Sequence, residues 1–239
     1  MKIYMDEAGR WPLYWPLHIW LVSSKIPDKQ LKKHQLFKDS KALTPKKREV
    51  SFEEILELEK EDNIFCEIWS ISSEFIDTYW ITRAINTAIS KALYRMLSKI
   101  LGTKIKKTIK RSDIINVIEN FEKGKKETIE LIIDWKNDFW ISKDLKIKTK
   151  TIVHWDAEKV QISMASILAK VSRDRILDTT ALKYPEYNFE KHKGYWTKLH
   201  YQAIEEHWVL PEHRKLFLKK IFPDWKILKF NENISFESN

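Results

Sequence analysis

Asp6-Glu7-Ala8-Gly9-Arg10 puts two adjacent carboxylates, a turn-forming glycine and a guanidinium at the end of the short apolar run Ile3-Tyr4-Met5. A lone Asp-Glu pair is ordinarily a solvated turn. Here Asp134 and Asp156 also stand at or just beyond apolar runs, and strand ends are where rigid scaffolds present catalytic groups. If those ends lie side by side, four carboxylates converge. Two such charges about 4 Å apart repel by about 4 kcal/mol at an effective dielectric of 20. A folded site therefore needs raised carboxyl pKa values or bound cations. Oxygen-only ligands select the hard ions Mg²⁺ or Mn²⁺. Two such ions can clamp a phosphodiester, one activating water and the other stabilising the leaving oxygen.

The elements that must position these groups follow from periodicity. Residues 17–23, 64–71, 129–134 and 146–154 read as strands after the first, and Asp134 and Asp156 fall at the ends of the last two. Thr44-Pro45 supplies a hydroxyl cap and a proline at the first helical position, which predicts a helix towards Glu59. Ile81, Ala84, Ile85, Ala88, Ala92 and Leu93 line one side of a helix over 81–100, and Ile162, Ala165, Ala169 and Ile176 do so over 162–177. Further helices are predicted near 197–206 and 213–221. Residues 102–128 crowd lysines around the short apolar patch 114–118 and read as a solvated, basic helical insertion ahead of a dedicated nucleic-acid contact. Strands alternating with helices, without repeat or linker, make one α/β domain over 1–239 with a C-terminal helical extension from about 197.

Composition narrows the partners. The chain has 43 Lys and Arg against 34 Asp and Glu, a net charge of +9 and a pI near 9.3, which favours a polyanion. No apolar run approaches the roughly 20 residues a membrane span needs. The acidic pair follows the first five residues directly, so no signal peptide is expected. The single cysteine, Cys66, forms no intrachain disulfide and fits a reducing, cytoplasmic setting. It is expected to be a small buried apolar residue.

In blocks, the chain resembles the ribonuclease HII family, the type 2 ribonucleases H of bacteria. Asp6-Glu7-Ala8-Gly9-Arg10-Trp11-Pro12-Leu13 is similar to its opening motif, in which the position of Trp11 is glycine. Asp39-Ser40-Lys41-Ala42-Leu43-Thr44 with Lys47-Arg48-Glu49 matches a second block, and Ser166-Ile167-Leu168-Ala169-Lys170-Val171 with Arg173-Asp174 a third. Tyr184-Pro185, His192-Lys193-Gly194-Tyr195 and His213-Arg214 complete the series.

The resemblance implies a ribonuclease H-like α/β fold, a mixed five-stranded sheet flanked by helices, with Asp6, Glu7, Asp134 and Asp156 as metal-binding catalytic acids. It implies cleavage 5′ of a ribonucleotide, in an RNA–DNA hybrid or embedded in duplex DNA, to 3′-hydroxyl and 5′-phosphate ends. The backbone of Gly9-Arg10-Trp11 would approach the 2′-hydroxyl, which separates RNA from DNA. Tyr195 would pack on the neighbouring deoxyribose. Ser40 lies in the second block, and Lys41, Lys170 and Arg173 are the expected phosphate contacts. The chain is expected to act as a monomer, with no membrane partner.

Plainer readings stand beside these. Asp174 rivals Asp156 as fourth acid but lies inside a predicted helix, where an ion pair is the simpler role. Lys170 is equally readable as a solvated helix residue. His154 and His192 read as structural, and Tyr184, Tyr187 and Phe189 as packing. An inactive nucleic-acid-binding paralogue would share the fold. The related ribonuclease HIII carries an extra N-terminal domain, which is not expected here because Asp6 lies so near the first residue.

The chain has 11 Trp and 4 Gly. Trp11, Trp15, Trp69, Trp80, Trp135, Trp155, Trp196 and Trp208, with Trp20, stand where the resembled family carries glycine. Each such exchange should cost about 1–3 kcal/mol through overpacking or strain. Eight would rival the roughly 5–15 kcal/mol by which a domain is stable. A gene whose UGA codons mean glycine, read with a code in which UGA means tryptophan, produces this pattern.

Overall fold

The computed structural model describes residues 1–33, 37, 42–152, 159–219 and 222. In chain order its strands are β1 (Lys2–Ala8), β2 (Leu17–Ser24), β3 (Ile64–Ile71), β4 (Glu130–Ile133) and β5 (Lys148–Thr151). Its helices are α1 (Asp28–Leu31), α2 (Pro45–Lys60), α3 (Ser73–Ile100), α4 (Arg111–Lys125), α5 (Ile141–Leu145), α6 (Val160–Lys183), α7 (Phe189–His192), α8 (Lys198–His207) and α9 (Lys215–Leu218). The sheet order is β3-β2-β1-β4-β5. β1 pairs antiparallel with β2 and parallel with β4, so β1 and β4 present their carboxyl ends at the same edge.

Strand side chains alternate between two cores. Ile3, Met5, Leu17, Ile19 and Leu21 face α3 and α4, while Trp20, Val22, Ile64 and Cys66 face α2 and α6. β1 and β4 are covered on both faces, which explains why each reads as an unbroken apolar run. A third cluster joins Leu13 and Tyr14 to Leu177, Tyr187, Phe189 and Ile204, so Tyr184, Tyr187 and Phe189 are packing residues. Cys66 is a buried free thiol. Among the described residues no helix is long and apolar enough to cross a membrane.

α2 starts at Pro45 as expected, with the Thr44 hydroxyl accepting from the Lys47 N–H. Several other elements depart from expectation. α3 begins at Ser73, earlier than periodicity suggested, because it carries on across a kink at Trp80. The 102–128 segment is helical over α4 and largely exposed, as expected, but it is not solvated throughout. Ile114, Val117, Ile118 and Phe121 of α4 recur at helical spacing and are buried in the core beside α3. Among the described residues, the helix predicted over 213–221 is present as the single turn α9, and β5 is a short, exposed edge strand rich in lysine.

Candidate active site

The parallel pairing of β1 with β4 brings the acids together. The ladder ends at Met5 opposite Ile133, and the Asp134 N–H reaches the Met5 carbonyl at 3.4 Å. Asp134 therefore leaves β4 alongside Asp6 and Glu7. All three line one cavity of about 680 Å³ at the carboxyl ends of these strands, where open α/β sheets bind ligands. The Asp6 carboxylate accepts the Glu7 N–H at 2.8 Å. The Glu7 side chain is only 8 % exposed. Burial, then the negative charges of Asp6 and Asp134, push its carboxyl above the usual range, with Arg10 opposing.

Those features test whether the residues suit a cation. Glu7 Oε2 is buried without a hydrogen-bond partner, and Arg10 meets the other oxygen only at 3.8 Å. Neighbouring carboxyl groups that disfavour one another's ionisation, one with a buried unpartnered oxygen, offer the hard oxygen donors that suit Mg²⁺ or Mn²⁺. Among the described residues alone, no three His, Cys, Asp or Glu side chains are gathered closely enough to hold a metal. Asp156, the fourth expected acid, lies outside the described residues, as do Ser40, Lys41 and His154.

The cavity wall comes from three other elements. α6 contributes Ser166, Lys170 and Asp174, α2 contributes Pro45 and Arg48, and the turn after α7 contributes Lys193 and Tyr195. Lys170 is exposed, and the Tyr195 ring is 47 % exposed at the rim. The Arg10 guanidinium stacks against aromatic rings, 4.0 Å from the centroid of Trp135 and 5.1 Å from those of Trp11 and Phe139. Trp11 is half exposed, and its carbonyl accepts the Trp196 indole N–H.

Arg173 is placed differently from the phosphate contact expected of it. It lines the cavity but is only 2 % exposed, and it donates to the carbonyls of Pro16 at 3.2 Å and Lys193 at 2.8 Å. A guanidinium so engaged braces the wall. Asp174, expected to pair within its helix, faces the cavity. Burial raises its carboxyl, while Lys193, Lys170, Arg173 and Arg48 pull it down. His192 is structural: Nδ1 accepts the Gly194 N–H, so Nε2 donates to the Tyr187 carbonyl at 2.7 Å.

Sequence reasoning assigned no role to Arg48, Lys193 or Arg214. Arg214 is fully buried and donates to the carbonyls of Gly9 and Arg10. All three lie in the motif blocks, yet no local pattern marks a cation as buried beneath an acidic strand end.

The chain matches the family model described as Ribonuclease HII over residues 3–222. It is 36 % identical over 217 residues to a ribonuclease HII of Clostridioides difficile (strain 630), covering 91 % of this chain and 69 % of that one. Against the ribonuclease HII of Caldicellulosiruptor saccharolyticus the identity is 34 % over 218 residues, covering 91 % and 86 %. Among solved structures, ribonuclease H2 from Pyrococcus horikoshii OT3 superposes with a TM-score of 0.65 at 22 % identity, covering 95 % of this chain and 99 % of that one. A Bst-RNase HIII structure in complex with Mn²⁺ gives 0.53 at 14 % identity over 76 % of this chain and 54 % of that one. These structures share the ribonuclease H-like fold.

Proposed function

Because the chain belongs to the ribonuclease HII family, we propose that it is a metal-dependent endonuclease cleaving 5′ of ribonucleotides, in RNA–DNA hybrids or embedded in duplex DNA. The products carry 3′-hydroxyl and 5′-phosphate ends. One observation supports this reading above the rest: Asp6, Glu7 and Asp134 line one cavity at a single sheet edge, with cations in its wall.

Asp6, Glu7, Asp134 and Asp156 would hold the ions. Bound Mg²⁺ or Mn²⁺ supplies charge neutralisation and polarises the scissile phosphate. The chain's own residues bind and orient. Lys170, with Ser40 and Lys41, contacts phosphates and sets the duplex in register without reading bases. The Gly9-Arg10-Trp11 backbone faces the 2′-hydroxyl, the group that distinguishes a ribonucleotide. Tyr195 packs against the adjoining deoxyribose. Arg173 fixes the Pro16 and Lys193 carbonyls and so holds the wall on which Tyr195 stands.

The test is cleavage of a duplex containing one ribonucleotide, with Mg²⁺ or Mn²⁺, by this chain and by the chain with glycine at Trp11 and Trp135. Cutting on the 5′ side of the ribonucleotide is expected. Asp134→Asn should lower turnover on the order of a thousandfold, because a charged ligand for the ions that stabilise the transition state is lost, while duplex affinity stays within about twofold. Turnover equal to the parent's in that variant removes Asp134 from the site. Duplex binding without cutting in both backgrounds identifies an inactive paralogue instead.

A further inference from the structure

The geometry points to Arg214 as a positioning residue that sets the orientation of the peptide groups after the acidic pair, an inference resting on the nuclease reading above. Nη1 donates to the Arg10 carbonyl at 2.7 Å and Nη2 to the Gly9 carbonyl. Arg214 is fully buried, and its own N–H donates to the Leu13 carbonyl at 2.7 Å. In a planar trans peptide the C=O and N–H point in opposite directions. Drawing the Gly9 and Arg10 carbonyls inward therefore turns the N–H groups of Arg10 and Trp11 outward, away from the buried guanidinium. Both residues line the cavity, and in this assignment the two N–H groups point towards it. Two amide donors aimed outward suit a hydroxyl or phosphate oxygen of the substrate.

The guanidinium is itself anchored. Asp77 of α3 accepts the N–H groups of Lys215 at 2.8 Å and Leu216 at 3.0 Å, capping the turn that carries Arg214. Its carboxylate is also an opposite charge acting on Arg214. A planar fork can hold two carbonyls in one plane, whereas a lysine ammonium is a point donor on a flexible stem.

Arg214→Lys separates this role from mere support. The variant should keep its fold by circular dichroism and its duplex Kd within about twofold, since surface cations supply that affinity. Its kcat should fall tenfold or more at unchanged KM, and amide exchange at Arg10 and Trp11 should quicken. A folded variant with kcat within twofold of its parent overturns the proposal. If neither parent background cleaves, the nuclease reading fails separately, and unchanged amide exchange in Arg214→Lys then overturns this one. Should Arg214→Lys not fold, Asp77→Asn takes its place with the same readouts and the same deciding outcomes.

A second inference stands on backbone conformation alone. Trp80 has φ 66° and ψ 156°, Trp208 φ 74° and ψ −172°, and Trp140 φ 62° and ψ 16°. The first two angle pairs belong to a region that only glycine ordinarily enters, and the third is unfavourable for any bulky residue. All three side chains are exposed, between 40 and 64 %, so burial does not offset the strain. We infer that the functional protein carries glycine at 80, 140 and 208, specified by UGA codons that its host reads as glycine. Trp140 joins the set on its backbone alone. UGA at the three codons is expected, and UGG at any of them removes that position. Trp80→Gly and Trp208→Gly should each raise Tm by about 2–4 °C or more; an unchanged or lowered Tm overturns the inference.

Discussion

Gly9 carries a constraint as strict as that on any acid of the site. Its φ is +87°, and a Cβ there would stand 2.1 Å from the Pro16 carbonyl oxygen and 2.6 Å from Arg173 Nε. Neither neighbour can retreat, because Arg173 donates to that same carbonyl. Gly9→Ala should therefore lose about 2–3 kcal/mol in urea unfolding through strain and overpacking. Equal stability in the variant would show that the turn relaxes. Tyr195 works at the rim instead, half exposed and beside Arg173, whose guanidinium lies 5.5 Å from its ring. Tyr195→Ala should weaken preference for a single ribonucleotide over an all-hybrid duplex more than it weakens general affinity. An unchanged ratio counts against its packing on the sugar.

Among the elements, α4 shows how charge can disguise a core helix. Lysines dominate the surrounding sequence, yet Ile114, Val117, Ile118 and Phe121 bury one stripe against α3 and the sheet. Phe121 is 2 % exposed, and Phe121→Ala should cost about 3–5 kcal/mol by thermal or chemical unfolding. A loss below about 0.5 kcal/mol, the ordinary effect of a surface change, would restore the reading of a solvated insertion. The apolar stripe was visible in the sequence as 114–118, but its length was too short to outweigh the lysines. The same competition hid the start of α3. Ser72 caps it through the Phe75 N–H, while Trp80 at positive φ interrupts the helical period that would have linked the two parts.

Across the whole molecule, burial of neutral histidines sets the response to acid. Burial first, and the Arg173 charge second, lower the His18 pKa to about 4, and burial followed by His192 lowers that of His200 to about 3. These folded values lie below the unfolded value near 6.5, so the unfolded chain binds more protons in the interval. Stability should be full above about pH 6.5 and fall as pH drops towards 4 and then 3. A Tm unchanged between pH 7 and 4.5 would show these rings to be solvated. The sequence by itself determined Asp6, Glu7 and Asp134 at strand ends, the Thr44 cap, the strand over 64–71 and the aromatic packing at 184–189, because each is written in local spacing and residue type. Only the tertiary structure decided that Arg173 and Arg214 are buried braces, that α4 belongs to the core, and that Asp134 emerges beside Asp6. Those outcomes depend on which backbone carbonyls, charges and apolar faces of separate elements meet, and contacts between residues far apart in the chain leave no local period to read.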